Sequence, residues 1–236
     1  MKLNIKYFWI IIDEIFDFLK YFPPFEYVQI LTQREVHRFL YVDRDEIKNW
    51  IIVGGYVGKE VPKILKSYKN CKITIFECSP RYLSSLKNRF RNNSRVRILA
   101  KAVSNKAGSV KFYETNLNGS GSLLKVGPLA RKSYGMEPRE EYVVETSPLD
   151  VELGDLKVDV LQIDVQGAEM LVLEGARNVL ENTRAVFIET SWRDDFYLGS
   201  RNYLEIQKFL CDKGFAAALL GSDANLTGNA LFVKVL

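Results

Sequence analysis

From residue 49 onward, short runs of Val, Ile, Leu and Phe alternate with stretches in which apolar residues recur every three to four positions. Buried strands bounded by amphipathic helices read this way. The runs place strands at 50–53, 73–77, 96–100, 158–164, 185–189, 215–219 and 230–235, and helices at 57–68, 81–92, 169–180 and 202–213. Repeated strand–helix–strand units predict an α/β fold, a Rossmann-like, mostly parallel seven-stranded sheet with helices on both faces. Two segments depart from the rhythm. Residues 109–114 (SVKFYE) and 141–146 (EYVVET) alternate with period two, and between them runs a polar connection holding Gly119, Gly121, Gly127 and Gly135. A connection of that length inside a compact domain reads either as a functional lid or as a variable surface loop.

The N-terminus follows another pattern. Phe8, Ile11, Ile12, Ile15 and Leu19 recur at helical spacing, and Pro23-Pro24 ends the stripe. Asp13, Glu14 and Asp17 interrupt the apolar run far short of the roughly 18 residues a membrane span needs. An amphipathic helix results, packing on the domain or on a second subunit, with a homodimer possible; no transmembrane segment is expected. Residues 25–48 read as a short helix and connector on a solvated face. The chain therefore divides into an N-terminal helical extension, 1–48, and a Rossmann-like domain, 49–236.

Composition changes the picture mainly by exclusion. With 236 residues, 47% hydrophobic and 26% charged, the chain suits one globular domain with a small extension. A net charge of +4 is far below the dense basic stripe that nucleic-acid binding requires, so no nucleic-acid partner is expected. Cys71, Cys78 and Cys211 lack metal-ligand spacing, and His37 is the one histidine, which argues against a zinc site. Three unpaired thiols fit a reducing, cytoplasmic setting.

Candidate chemistry belongs at the carboxyl ends of the strands, where an open parallel sheet binds ligands. The first strand runs into Gly54-Gly55-Tyr56-Val57-Gly58, a turn whose glycines allow close backbone approach by a ligand. Glu77 ends the second strand, 23 residues after Gly54, near the spacing at which an acid accepts hydrogen bonds from both ribose hydroxyls of a nucleoside. Ala100-Lys101-Ala102 offers small side chains against which an adenine ring lies flat. Leu161 to Glu169 (LQIDVQGAE) is a buried strand that ends in Asp164, turns, and opens a helix with Glu169.

These strings resemble the FkbM-type family of S-adenosylmethionine-dependent methyltransferases. Residues 163–169 (IDVQGAE) are similar to the family's I-D-V-E-G-A-E, and Gly175-Ala176 to its following L-x-G-A. Phe76-Glu77-Cys78-Ser79-Pro80 resembles F-E-P-x-P, residues 119–123 (GSGSL) its Gly/Ser stretch, and Leu149-Asp150 its T-L-D. The likeness covers about 49–192. Departures are specific: Ile52 and Tyr56 stand where D-x-G-A-N-x-G has its aspartate and asparagine, and Gln166 stands where glutamate is usual.

The resemblance implies methyl transfer from S-adenosylmethionine to a hydroxyl of a small molecule or glycan. It places the cofactor on Gly54, Gly55, Tyr56, Gly58, Glu77, Cys78, Ala102 and Asp164. It makes Asp164 the candidate base, with Glu189 as its neighbour or alternative. A carboxylate suffices there, because the demand is to align two reactants and remove one proton. Ser120, Ser122, Arg131, Tyr134 and Glu169 are the expected acceptor contacts, and no metal is assigned. The competing reading, prompted by Ile52 and Tyr56, is a non-catalytic interaction module with a degenerate cofactor site.

Overall fold

The structure, a computed structural model, describes residues 24–222 and 227–235. The amphipathic stripe from Phe8 to Leu19 lies outside them. A seven-stranded sheet forms from β1 (Asn49–Val53), β2 (Lys72–Phe76), β3 (Val96–Leu99), β7 (Val158–Ile163), β8 (Thr183–Ser191), β9 (Phe215–Ser222) and β10 (Thr227–Lys234). Their order is β3-β2-β1-β7-β8-β10-β9. Each of the seven sequence-expected strands is there. The first five run parallel, while β10 inserts antiparallel between β8 and β9.

Strand alternation divides the core. Ile51 and Val53 join Leu161, Ile163, Val186, Ile188 and Phe232 on one face. There they meet α6 (Glu169–Glu174), α7 (Arg177–Glu181) and α8 (Tyr203–Asp212). Trp50 and Ile52 point the other way, to α1 (Pro24–Phe39), α2 (Val61–Ser67) and α3 (Pro80–Phe90). Strands buried on both faces must be apolar throughout, which is why they read as continuous runs.

Three elements differ from the expectation. Residues 25–48 hold a 16-residue helix, α1, packed on β9 and β10, with Thr32, Gln33 and Val36 buried rather than solvated. The helix expected from 57 begins at Val61, because Tyr56 (φ +45°) and Gly58 (φ +63°) hold a left-handed turn first. The helix expected over 169–180 breaks at Gly175, where a Cβ would stand 2.2 Å from the carbonyl oxygen of Ser104. The second sheet cannot approach α6 without that glycine.

That second sheet has three strands, in the order β4 (Ala102–Val103), β6 (Pro138–Ser147), β5 (Gly108–Thr115). The Gly/Ser connection between β5 and β6 is an ordered strap. It carries α4 (Pro128–Tyr134), bridges Tyr113 to Ser122 and Val126 to Tyr197, and builds a small core from Val126, Ala130, Met136, Phe196 and Tyr197. α5 (Leu149–Leu153) leads into β7. The strap thus covers the carboxyl ends of β1 and β7, the neighbours at which strand order reverses.

Candidate functional site

Two adjoining cavities open at this reversal point. The first, a cleft with about 560 Å³ of empty space including its open mouth, begins at the turn after β1. The N–H groups of Gly54 and Gly55 donate to Phe76 O at 3.0 and 3.2 Å. Gly54 has φ +88°, and a Cβ there would fall 1.7 Å from Asp164 O. Gly55 and Gly58 serve packing instead: a Cβ on them would meet Ile75 at 2.2 Å and the Phe90 ring at 2.6 Å. Of the expected cofactor residues, Gly54, Tyr56, Glu77, Cys78, Ala102 and Asp164 line the cleft.

Glu77 organises this end. Its Oε2 accepts from Tyr56 N and its Oε1 from Ser79 N, both at 2.7 Å, so one carboxyl ties the β1 turn to the β2 turn. Burial pushes its pKa up to about 7, against these hydrogen bonds, which favour the ionised form; the Glu114 charge adds to the rise. The Tyr56 ring packs edge-on against Tyr82 at 4.6 Å, and Gly119 N donates to Tyr82 Oη at 3.2 Å. The strap is seated on that aromatic pair. Phe76, Val103, Phe112 and Leu123 supply apolar wall.

The departures from the family strings acquire a physical meaning here. Ile52 is fully buried among Trp50, Ile75 and Val61, with its side chain on the face away from the cleft's strap. Tyr56 contributes its backbone N–H to Glu77 and its ring to the strap's seat. The turn is held by Phe76 O and Glu77, from the neighbouring strand, without an acid in β1.

At the end of β7, Asp164 is exposed into the cleft and its Oδ1 accepts from Gln166 Nε2 at 2.7 Å. Capping of the following turn falls to Glu169. Its Oε1 accepts from Val165 N at 3.2 Å and Gly167 N at 3.1 Å, and burial raises its pKa to about 7. The turn's N–H groups being taken by Glu169, the Asp164 carboxylate is left turned to the cavity.

The second cavity, about 820 Å³ with its mouth, lies beyond Gln166, which lines both. Its wall includes Tyr134, Met136, Glu189, Thr190, Phe196 and Tyr197. Glu189 and Asp164 share a hydrogen bond. Burial first, then the Asp164 charge and that bond, then the Glu169 charge, hold Glu189 well above the usual carboxylate range. Glu60, at the start of α2, is also raised to about 7, by burial and then by the Asp164 charge.

The acceptor residues expected from sequence divide. Tyr134 and Glu169 line the second cavity. Ser120 is buried in the strap, bonded to Thr115 Oγ1 and donating to Leu117 O at 2.8 Å; Ser122 donates to Val165 O at 3.4 Å. Both staple the strap. Arg131 is exposed on α4 and pairs with Glu137 at 3.1 Å, away from either cavity. Sequence reading missed Tyr82, Phe112, Tyr197 and the bridging role of Gln166. Tyr197 was findable in principle, since it follows β8 at the same sheet edge. Among the described residues no three His, Cys, Asp or Glu side chains are grouped to hold a metal ion, and no helix is long and apolar enough to cross a membrane.

The profile described as the methyltransferase FkbM domain matches residues 53–216. The chain belongs to the FkbM methyltransferase family. FkbM members take their methyl group from S-adenosylmethionine, and the cleft fits that cofactor: a carboxylate for a ribose diol at Glu77, apolar walls for a flat ring, and an acid at Asp164 toward an ammonium. A curated relative, 2-O-methyltransferase NoeI of Sinorhizobium fredii (strain NBRC 101917 / NGR234), is 26% identical over 149 residues. That match covers 59% of this chain and 61% of the relative. Among solved structures, precorrin-6y C5,15-methyltransferase of Geobacter metallireducens GS-15 aligns at TM-score 0.48 and 12% identity, covering 88% of this chain and 87% of the other. Aeropyrum pernix fibrillarin, with natively bound S-adenosyl-L-methionine, aligns at TM-score 0.45 and 14% identity, covering 79% and 66%.

Proposed function

We propose that this FkbM methyltransferase is an O-methyltransferase that acts on a hydroxyl of a neutral small molecule or glycan, with Asp164 as its base. One observation carries the reading: the Asp164–Glu189 carboxyl pair stands where the cofactor cleft meets a second cavity. When bound, S-adenosylmethionine supplies an electrophilic methyl on a sulfonium. Glu77 would hold the ribose hydroxyls, and the strap would cover the nucleoside. Glu189, held well above the usual carboxylate range by burial and by the Asp164 charge, keeps its proton beside Asp164. Asp164 accepts the proton of the acceptor hydroxyl.

The cavity's own charges support a neutral acceptor. Burial holds Glu169 and Glu189 toward their neutral forms, and the Arg201 guanidinium on its wall is paired with Glu205 at 2.9 Å. Tyr134, Phe196 and Tyr197 give faces on which an apolar or sugar-ring surface packs. The relative's name, a 2-O-methyltransferase, supports oxygen as the accepting atom. The test is calorimetry with S-adenosylmethionine and S-adenosylhomocysteine on the wild type and Glu77→Ala, followed by a screen of neutral, anionic and amine acceptors with labelled cofactor. Transfer to neutral hydroxyl compounds is the expected result. Absence of binding by the wild type would leave the interaction-module reading standing.

A further inference from the structure

The turn after β7 gives Gln166 an uncommon backbone. It has φ +56°, in the left-handed region that side chains rarely adopt, and Gly167 follows at φ +94°. A Cβ on Gly167 would stand 2.8 Å from the Tyr197 ring, while Glu169 holds the N–H groups on either side of Gln166. The backbone is therefore clamped from two directions, and the side chain has one place to go.

That place is between the two carboxyls. Gln166 Nε2 lies 2.7 Å from Asp164 Oδ1 and 2.5 Å from Glu189 Oε2, so its two N–H groups serve two strands. Its Oε1 lies 3.1 Å from the Tyr197 hydroxyl, which also lies 2.9 Å from Ser120 O in the strap. The amide's orientation follows from chemistry: two carboxyls need the donor end, and the phenol can donate to the acceptor end.

We propose that Gln166 is a positioning residue for the transfer: its amide fixes the Asp164–Glu189 pair between the two cavities and, through Tyr197, links that pair to the strap. The inference rests on the carboxylate-base reading above. Around Glu189, the groups facing it are Asp164 from β7, Glu169 from α6, Tyr197 from the segment after β8 and Arg201 on the cavity wall, with Glu60 acting on Asp164 from α2. Asp164 and Glu169 oppose ionisation of Glu189, whereas the Gln166 hydrogen bond favours it. A glutamate in this place would add a fourth carboxyl to Asp164, Glu169 and Glu189. The amide supplies donors without a charge.

The test needs no acceptor. Full-length protein carrying ¹³C-labelled Asp and Glu carboxyls is titrated by NMR, with Glu189→Gln identifying the Glu189 signal. In Gln166→Met the Glu189 midpoint is expected to rise by about one pH unit or more, as loss of a charge-favouring hydrogen bond dictates. An unmoved midpoint, with S-adenosylhomocysteine binding at the wild-type level, would overturn the proposal and leave Gln166 as a turn residue. If Gln166→Met does not fold, Tyr197→Phe spares the backbone and frees the amide's acceptor end. The midpoint should move in the same direction there, and a wild-type titration would count against the link. Methyl transfer surviving in Asp164→Asn would remove the base reading instead, while the titration would still report on the amide.

Discussion

Gly54 and Asp164 meet back to back: a Cβ on Gly54 would lie 1.7 Å from the Asp164 carbonyl oxygen, where β1 and β7 end side by side. Close approach of these two strand ends sets both the glycine turn and the placement of Asp164, the proposed base. Gly54→Ala combines that collision with a φ of +88°, and is expected to cost about 3 kcal/mol or more in urea unfolding. S-adenosylhomocysteine binding should be lost with it.

Cofactor affinity should depend on pH through Glu77. Its pKa is raised to about 7, and the ionised form is the one able to accept from two hydroxyls. Affinity is therefore expected to fall about tenfold for each pH unit below that value. Calorimetry at several pH values checks this, and Glu77→Gln should bind more weakly with little pH dependence.

Stability should move the opposite way. Glu60, Glu77 and Glu169 each rise from 4.5 to about 7 in the folded protein. The folded state therefore holds their protons more tightly than the unfolded chain does. The resulting stabilisation is complete below 4.5 and is lost as pH climbs through about 7. Scanning calorimetry of the ligand-free protein should give a lower Tm at pH 8 than at pH 5.5, and Glu169→Gln should flatten the slope.

Asp164→Asn and Glu189→Gln separate chemistry from binding. Removing the base should reduce methyl transfer by about 100-fold or more. Glu189→Gln keeps shape and hydrogen bonding, so cofactor affinity should stay within about twofold while the acidic limb of the pH–rate profile shifts.

Ile52→Asp restores the residue usual in the family's first motif, and should not improve cofactor binding. Ile52 is fully buried among Trp50, Val61 and Ile75. A carboxylate there lacks a partner, so a loss of several kcal/mol in chemical denaturation is expected.

Seven strands and their alternation with helices were legible in the sequence, because a strand buried on both faces must be apolar at every position. The glycine turn, Glu77, Asp164 and Glu189 were legible too, because a parallel sheet places ligands beyond its strand ends and these residues sit at those ends. Tertiary structure decided what each of them touches. Glu169, expected from sequence as an acceptor contact, takes the backbone N–H groups of Val165 and Gly167. Gly55 packs on Ile75 of β2 and Gly58 on Phe90 of α3, and Ser120 and Ser122 hold the strap, since burial turned their hydroxyls inward. The bridge from Gln166 to two strands and a tyrosine 31 residues away has no local pattern: it exists only because β7 and β8 lie adjacent and the chain after β8 folds back over their ends.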